Sequence, residues 1–373
     1  MPEVQDVFRL FGEEYMRRAM PPPHVCKTVR DIINCRTSAL GGHVDACDEC
    51  GFVRVSYNSC RNRHCPKCQA LAKERWVMAR ESELLPVPYF HVVFTLPEEL
   101  NGLAIRNRGI IFNLLFSASS ETLKALARDG KRLGAEIGFT SVLHTWGQNL
   151  MFHPHVHVIV PGGGLTPGGQ WRNSRKKFFI PVKAMAKLFR GKFMGALKKA
   201  RPKLQGLEDD AAWLAISNAL FAKGWYVYCK RPFKSCRSVL QYLGRYTHRI
   251  AISNHRITSI IDGLVSFKWR DYKNGSKVKV MSLAADEFIR RFLLHVLPPG
   301  FTKIRHYGFL APAAKQKKLA LCKRLTGASA AVSAKLSAVD IMKKLTGRDI
   351  TLCPCCGIGH FAVTSGLSPP SAA

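Results

Sequence analysis

Acidic residues are scarce in this chain. Only 25 Asp and Glu stand against 57 Lys and Arg, a formal net charge of +32. Self-repulsion at that charge opposes compaction unless the working partner is a polyanion. Nucleic acid is the first candidate, because Lys and Arg neutralise phosphates and release counterions. A membrane surface is the runner-up on charge alone. However, the sequence contains no run of eighteen apolar residues, and its first residues lack the basic-then-apolar layout of a signal peptide. The expectation is a cytoplasmic, nucleoid-associated protein with no membrane partner. No internal repeat is visible, which excludes solenoids and propellers.

Hydrophobic residues, by contrast, make up 47% of 373 positions, enough for a folded core in one main domain with one or two appendages. Thirteen cysteines in a cytosolic chain point to metal binding rather than a disulfide scaffold. Cys47-x2-Cys50 and Cys65-x2-Cys68, fourteen residues apart, have the spacing of a four-cysteine structural zinc site. Cys60, His64 and His43 are near enough to substitute as ligands. Arg54, Arg61, Arg63, Lys67, Lys73 and Arg75, with Phe52 and Tyr57, make this module a candidate nucleic-acid contact. Near the other end, Cys353, Cys356 and His360 could bind a second zinc but lack an obvious second pair.

Periodicity divides the chain into residues 1–85 (two helices and the cysteine module), 86–310 (mixed strands and helices) and 311–373 (a basic tail with a small cysteine group). Residues 3–20 and 24–37 read as helices, and strands are expected at 89–96, 139–146, 151–160, 225–228, 250–252, 263–270 and 277–282. Helices are expected at 104–133, 184–200, 210–222, 236–247, 285–296 and 336–346. A Ser/Pro/Ala stretch of low order is expected at the end. The expected fold class is α+β, an antiparallel sheet with helices packed on one face.

Two constellations carry chemistry. His153-Pro154-His155-Val156-His157 runs into Val158-Ile159-Val160, the pattern of a buried strand. Side chains two apart on a strand share a face, so His155 and His157 present two imidazoles, half of a divalent-metal site. Tyr242 and Tyr246, four apart, share a face of the helix expected at 236–247, with Arg245 and Arg249 each three residues after a tyrosine. Gly244 between them costs about 1 kcal/mol of helix stability relative to alanine, so a close approach to another backbone or a nucleotide is expected there. A phenol is a weak nucleophile and needs a polarised electrophile, which a metal on a phosphodiester oxygen provides. Together these features point to covalent cleavage and rejoining of a DNA strand.

The cysteine module, His153–His157 with Gly162–Gly164, and Tyr242 through Asn254 (Tyr-Leu-Gly-Arg-Tyr-Thr-His-Arg-Ile-Ala-Ile-Ser-Asn) occur in an order that resembles the HUH (His-hydrophobic-His) endonucleases. The closer resemblance is to the two-tyrosine rolling-circle transposases of the insertion-sequence-91 type. That resemblance implies an RRM-like antiparallel sheet with the histidines on a central strand, and a catalytic Mg²⁺ or Mn²⁺ held by His155 and His157. It implies Tyr242 and Tyr246 as nucleophiles that form a 5′-phosphotyrosine on single-stranded DNA at transposon ends. Host replication or helicase proteins are further partners it allows. Relatives use a third, polar ligand; Gln148 is the first choice, and His144 and His153 compete. His248, Arg249 and Arg245 are candidates for contacting phosphate. The competing readings are a metallo-hydrolase, disfavoured by the lack of nearby carboxylates, a non-catalytic zinc-ribbon DNA-binding protein, and an inactive transposase remnant.

Overall fold

The computed structural model describes residues 2–370 except 176–178, 231–232, 234–237, 240–241, 243, 245–249, 273 and 329–335. Its strands, in chain order, are β1 (Gly42–Cys47), β2 (Val53–Tyr57), β3 (Tyr89–Thr95), β4 (Phe139–Trp146), β5 (Phe152–Pro161), β6 (Gly163–Leu165), β7 (Trp171–Asn173) and β8 (Val227–Lys230). They continue with β9 (Ile257–Ile261), β10 (Leu264–Asp271), β11 (Lys277–Ala284), β12 (Ile304–Tyr307) and β13 (Phe361–Leu367).

The central sheet runs β12-β4-β5-β3-β8, and every neighbouring pair is antiparallel. Helices Asn101–Arg106 and Arg108–Arg128 lie between β3 and β4 in the chain, and helices Val182–Ala200 and Asp210–Ala222 lie between β5 and β8. Strand–helix–strand–strand–helix–strand with the fourth strand beside the first is the split βαβ pattern. The alternation of the strands assigns the two faces. Phe90, Val92 and Phe94 of β3, Phe139 and Leu143 of β4, and Val156, Val158 and Val160 of β5 point into one large core with Ile111, Leu115, Phe116, Phe189 and Phe193 of the helices. Each such side chain contributes roughly 1.5–3 kcal/mol by leaving water. The opposite face carries His91, His144, His155 and His157.

The helix expected at 104–133 is two helices, because Asn107 leaves helical geometry and turns its amide onto the carbonyls of Leu103 and Gln205. Helices Val4–Ala19 and Pro23–Asn34 pair through Val4, Val7, Phe8, Val25, Val29 and Ile32. Helix Ala285–Leu293 completes that second core, with Phe292 edge-on to Phe8 at 5.3 Å. The strand expected at Ile250–Ile252 is irregular instead; all three residues are buried, Ala251 and Ile252 against that core, and they pair with no sheet edge.

Ahead of the Ser/Pro/Ala stretch, the last segment holds a strand for which none was expected. Residues 361–367 form β13, which pairs antiparallel with β1 to give a β13-β1-β2 sheet, so this stretch is folded onto the first cysteine pair. Among the described residues, no helix is long and apolar enough to cross a membrane.

Candidate active site and metal centres

The register of the central sheet builds the first site. His155 and His157 lie side by side on β5, and His144 of β4 stands directly across from His155. The ligand atoms of the three imidazoles lie within 4.8 Å of one another. His155 Nε2 and His157 Nε2 are 3.1 Å apart, and all three residues are buried. His155 Nδ1 lies 2.6 Å from the His153 carbonyl, so Nδ1 carries the proton and Nε2 faces the cluster with its lone pair. His153 therefore contributes its backbone, while its ring stays outside the group.

Gln148, the first choice for a third ligand, sits in the β4–β5 turn with its amide nitrogen 3.4 Å from Tyr272 Oη. His144, the competing candidate, stands at the paired position on the neighbouring strand and groups with His155 and His157.

The sequence reading missed His91. It lies on β3, on the same face, and joins the cluster to a tyrosine. Its Nε2 is 2.8 Å from His157 Nδ1, and its Nδ1 is 2.7 Å from Tyr242 Oη. Burial, with smaller contributions from Lys230 and His155, holds the His91 imidazole down to about 3, so the ring is neutral at neutral pH. A histidine within a largely apolar strand was the signal available for it.

Tyr242 is half-buried and helical, packed with Val239 and Phe233 against Tyr89 and Ile159 of the sheet and Trp76 of helix Pro66–Glu81. Gly244 explains the approach of these two helices. A Cβ there would lie 2.8 Å from Val77 and 3.0 Å from Lys73, so the contact needs glycine. Tyr246, Arg245, His248 and Arg249 lie outside the described residues. Gly162–Gly164 serve packing: side chains there would strike the Pro88 carbonyl, Trp171 and the Glu136 carbonyl.

Among the described residues the cysteines form two clusters, and the expected tetrahedron of Cys47, Cys50, Cys65 and Cys68 is not one of them. Cys35, Cys60, Cys65 and Cys68 make one cluster, and Cys47, Cys50, Cys353 and Cys356 make the other. In the first, Cys68 Sγ is 3.6 Å from both Cys35 and Cys60. Hydrogen bonds from Cys60 and then Cys65 hold the Cys68 thiol far below its usual range. Cys35 closes helix Pro23–Asn34, and Cys65 caps helix Pro66–Glu81 with Cys68 in its first turn. Spacing alone could not reveal Cys35, because an intervening hairpin brings it to the cluster.

His64 is not in either group; burial pushes it down to about 3, and its Nε2 accepts from the Leu297 N–H at 3.3 Å. His43 instead lies 3.4 Å from Asp45. His360 places its ring 3.2 Å from the Thr351 hydroxyl. Four thiols at these separations suit a closed, structural Zn²⁺.

Several of the basic residues around the module are engaged internally. Arg63 donates to the carbonyls of Phe301, Leu297 and Pro298. Arg54 pairs with Asp45 at 2.9 Å, Lys67 with Glu3 at 2.7 Å and Lys73 with Glu74 at 3.2 Å. Arg61 and Arg75, with Arg36 and Lys67, line a groove beside Cys68.

Comparison with known proteins agrees with these features. The family described as "Putative transposase" matches residues 138–318, and the one described as "Transposase zinc-binding domain" matches residues 7–96. A "Putative transposase y4qJ" of Sinorhizobium fredii is 48% identical over 374 aligned positions, covering 96% of this chain and 94% of the relative. The "Transposase for insertion sequence element IS801" of Pseudomonas savastanoi pv. phaseolicola is 28% identical over 351 positions, covering 92% of this chain and 84% of the relative. No solved structure matches. A relative this similar over nearly the whole length, together with the zinc-binding domain at the start of the chain, makes this protein a member of the insertion-sequence-91-like transposases.

Proposed function

We propose that this transposase cuts and rejoins single-stranded DNA at element ends, in a rolling-circle manner, with Tyr242 as a nucleophile. The observation that carries the reading is the chain of contacts Tyr242 Oη–His91–His157, which sets a phenol beside a three-imidazole cluster on one sheet face. The βαββαβ strand order supports an RRM-like core of the HUH type.

His144, His155 and His157 would hold a divalent ion, which as a Lewis acid polarises the scissile phosphate. Their donor set fits such an ion and favours Mn²⁺ over Mg²⁺, since imidazole suits transition metals and Mg²⁺ prefers oxygen. With both Nε2 atoms of His155 and His157 turned to the cluster, His157 Nδ1 carries its proton and donates to His91 Nε2. The second nitrogen of neutral His91 then bears hydrogen and donates to Tyr242 Oη. His91 thus positions the phenol and stabilises negative charge on its oxygen. In the reaction a bond forms between Tyr242 Oη and phosphorus, and the bond from phosphorus to the 3′ oxygen breaks. The phenolic proton is lost and the 3′ oxygen gains one, leaving a 5′-phosphotyrosine and a free 3′-OH. Tyr246 supplies a second nucleophile for the other end.

The test is a covalent-adduct assay with labelled single-stranded element ends and Mn²⁺ or Mg²⁺. Tyr242→Phe should lower first-strand adduct by at least about a thousandfold while melting at the wild-type temperature. Wild-type adduct levels in Tyr242→Phe would overturn the assignment.

A further inference from the structure

We infer that Cys47, Cys50, Cys353 and Cys356 bind a second Zn²⁺ that clasps the two ends of the chain together. Neither family match reaches residues 353–356, which follow the end of one at 318 and of the other at 96. The two halves of the cluster repeat one design. Each is Cys-x2-Cys-Gly, with Gly51 and Gly357 at φ of +69° and +73°. In each, the glycine N–H donates to the carbonyl of the first cysteine, at 3.1 Å for Gly51 to Cys47 and 3.0 Å for Gly357 to Cys353. In each, a backbone N–H two residues past the second cysteine, from Phe52 or Ile358, bonds its sulfur. The Cys355 and Gly359 N–H groups also approach Cys353 Sγ at 3.4 Å and Cys356 Sγ at 3.3 Å. Amides aimed at sulfur are the donors that a metal-bound thiolate accepts.

The halves face each other. Cys47 Sγ lies 3.7 Å from Cys356 Sγ, and Cys50 Sγ lies 3.7 Å from Cys353 Sγ. Gly359 is required at this seam, since a Cβ would sit 2.4 Å from Cys47 Sγ. The surrounding backbone is joined as well. Asp48 N–H donates to the His360 carbonyl at 3.0 Å, His360 N–H donates to Asp48 Oδ1 at 2.7 Å, and β13 extends β1. Arg54 stacks over Phe361 at 3.7 Å and donates to the Ile350 carbonyl at 3.0 Å. Four thiolates converging from two such turns make the closed tetrahedral set of a structural zinc.

The clasp also seats helix Ala338–Thr346 against helix Pro66–Glu81, which packs with Tyr242 through Trp76 and meets Gly244 through Val77. Zinc here thus ties the last segment of the chain to the scaffold of the nucleophile.

Two measurements on the full-length wild-type chain decide the matter without any variant. Native mass spectrometry should find two Zn²⁺ per chain. Alkylation mapped by peptide should show Cys353 and Cys356 reacting at least about tenfold more slowly than exposed Cys355, with that protection lost on chelation together with that of Cys47 and Cys50. Cys353→Ser/Cys356→Ser should then hold one Zn²⁺ and release residues near the chain end to protease. A wild-type chain with a single Zn²⁺, or Cys353 and Cys356 alkylated as fast as Cys355, would overturn the clasp.

Discussion

The histidine cluster and the cysteine clusters solve opposite problems. Three imidazoles on a flat sheet face leave coordination positions for something else to occupy, and a tyrosine stands one residue away. Four thiols converging from turns and a helix start enclose their centre. The first arrangement suits chemistry and the second suits architecture. They are also joined: helix Pro66–Glu81 begins at the first cysteine centre and ends its reach against Tyr242 and Gly244. A closed cluster thereby fixes the element that steadies Tyr242, the residue proposed as nucleophile, beside the open one.

This contrast can be broken at three points, taken from the largest expected effect to the smallest. If His144 and not Gln148 completes the open centre, His144→Ala should cut both Mn²⁺ affinity and nicking by about a hundredfold or more, and Gln148→Ala should leave both near wild type. Calorimetric Mn²⁺ titration beside the adduct assay separates the two, and equal losses would return Gln148 to the site. His91→Gln should lower the single-turnover rate about 10- to 100-fold with a smaller loss of Mn²⁺ affinity, because it alters the hold on Tyr242 Oη while the Gln carbonyl can still accept from His157 Nδ1. A matching loss of metal binding would make His91 part of the cluster itself. Gly244→Ala should destabilise the protein by about 1–3 kcal/mol through overpacking on Val77, read from thermal melts. An unchanged melt would show that the two helices are not pressed together as described.

Much of this was legible beforehand, and the limits are instructive. The strand at 139–146 and the helices near 4–19 and 210–222 follow from local periodicity, which the chain states within a dozen residues. His155 and His157 share a face because alternation along a strand needs no tertiary knowledge. His144 and His91 needed cross-strand register, which no local pattern encodes. The cysteines misled for a related reason. Two Cys-x2-Cys pairs at the right spacing suggested one centre, yet each pair found its partners elsewhere, Cys35 and Cys60 for one and Cys353 and Cys356 for the other.

What the sequence by itself determined is the set of chemical parts: thiols in pairs, imidazoles on a strand, tyrosines four apart and a large excess of positive charge. Those are properties of composition and short-range geometry. Only the tertiary structure decided which parts meet. Strand pairing put His144 across from His155, and the addition of β13 to β1 carried Cys353 and Cys356 to Cys47 and Cys50. Ligand sets of this kind are satisfied by whichever donors the packed chain brings within a few ångströms, and sequence distance places no limit on that.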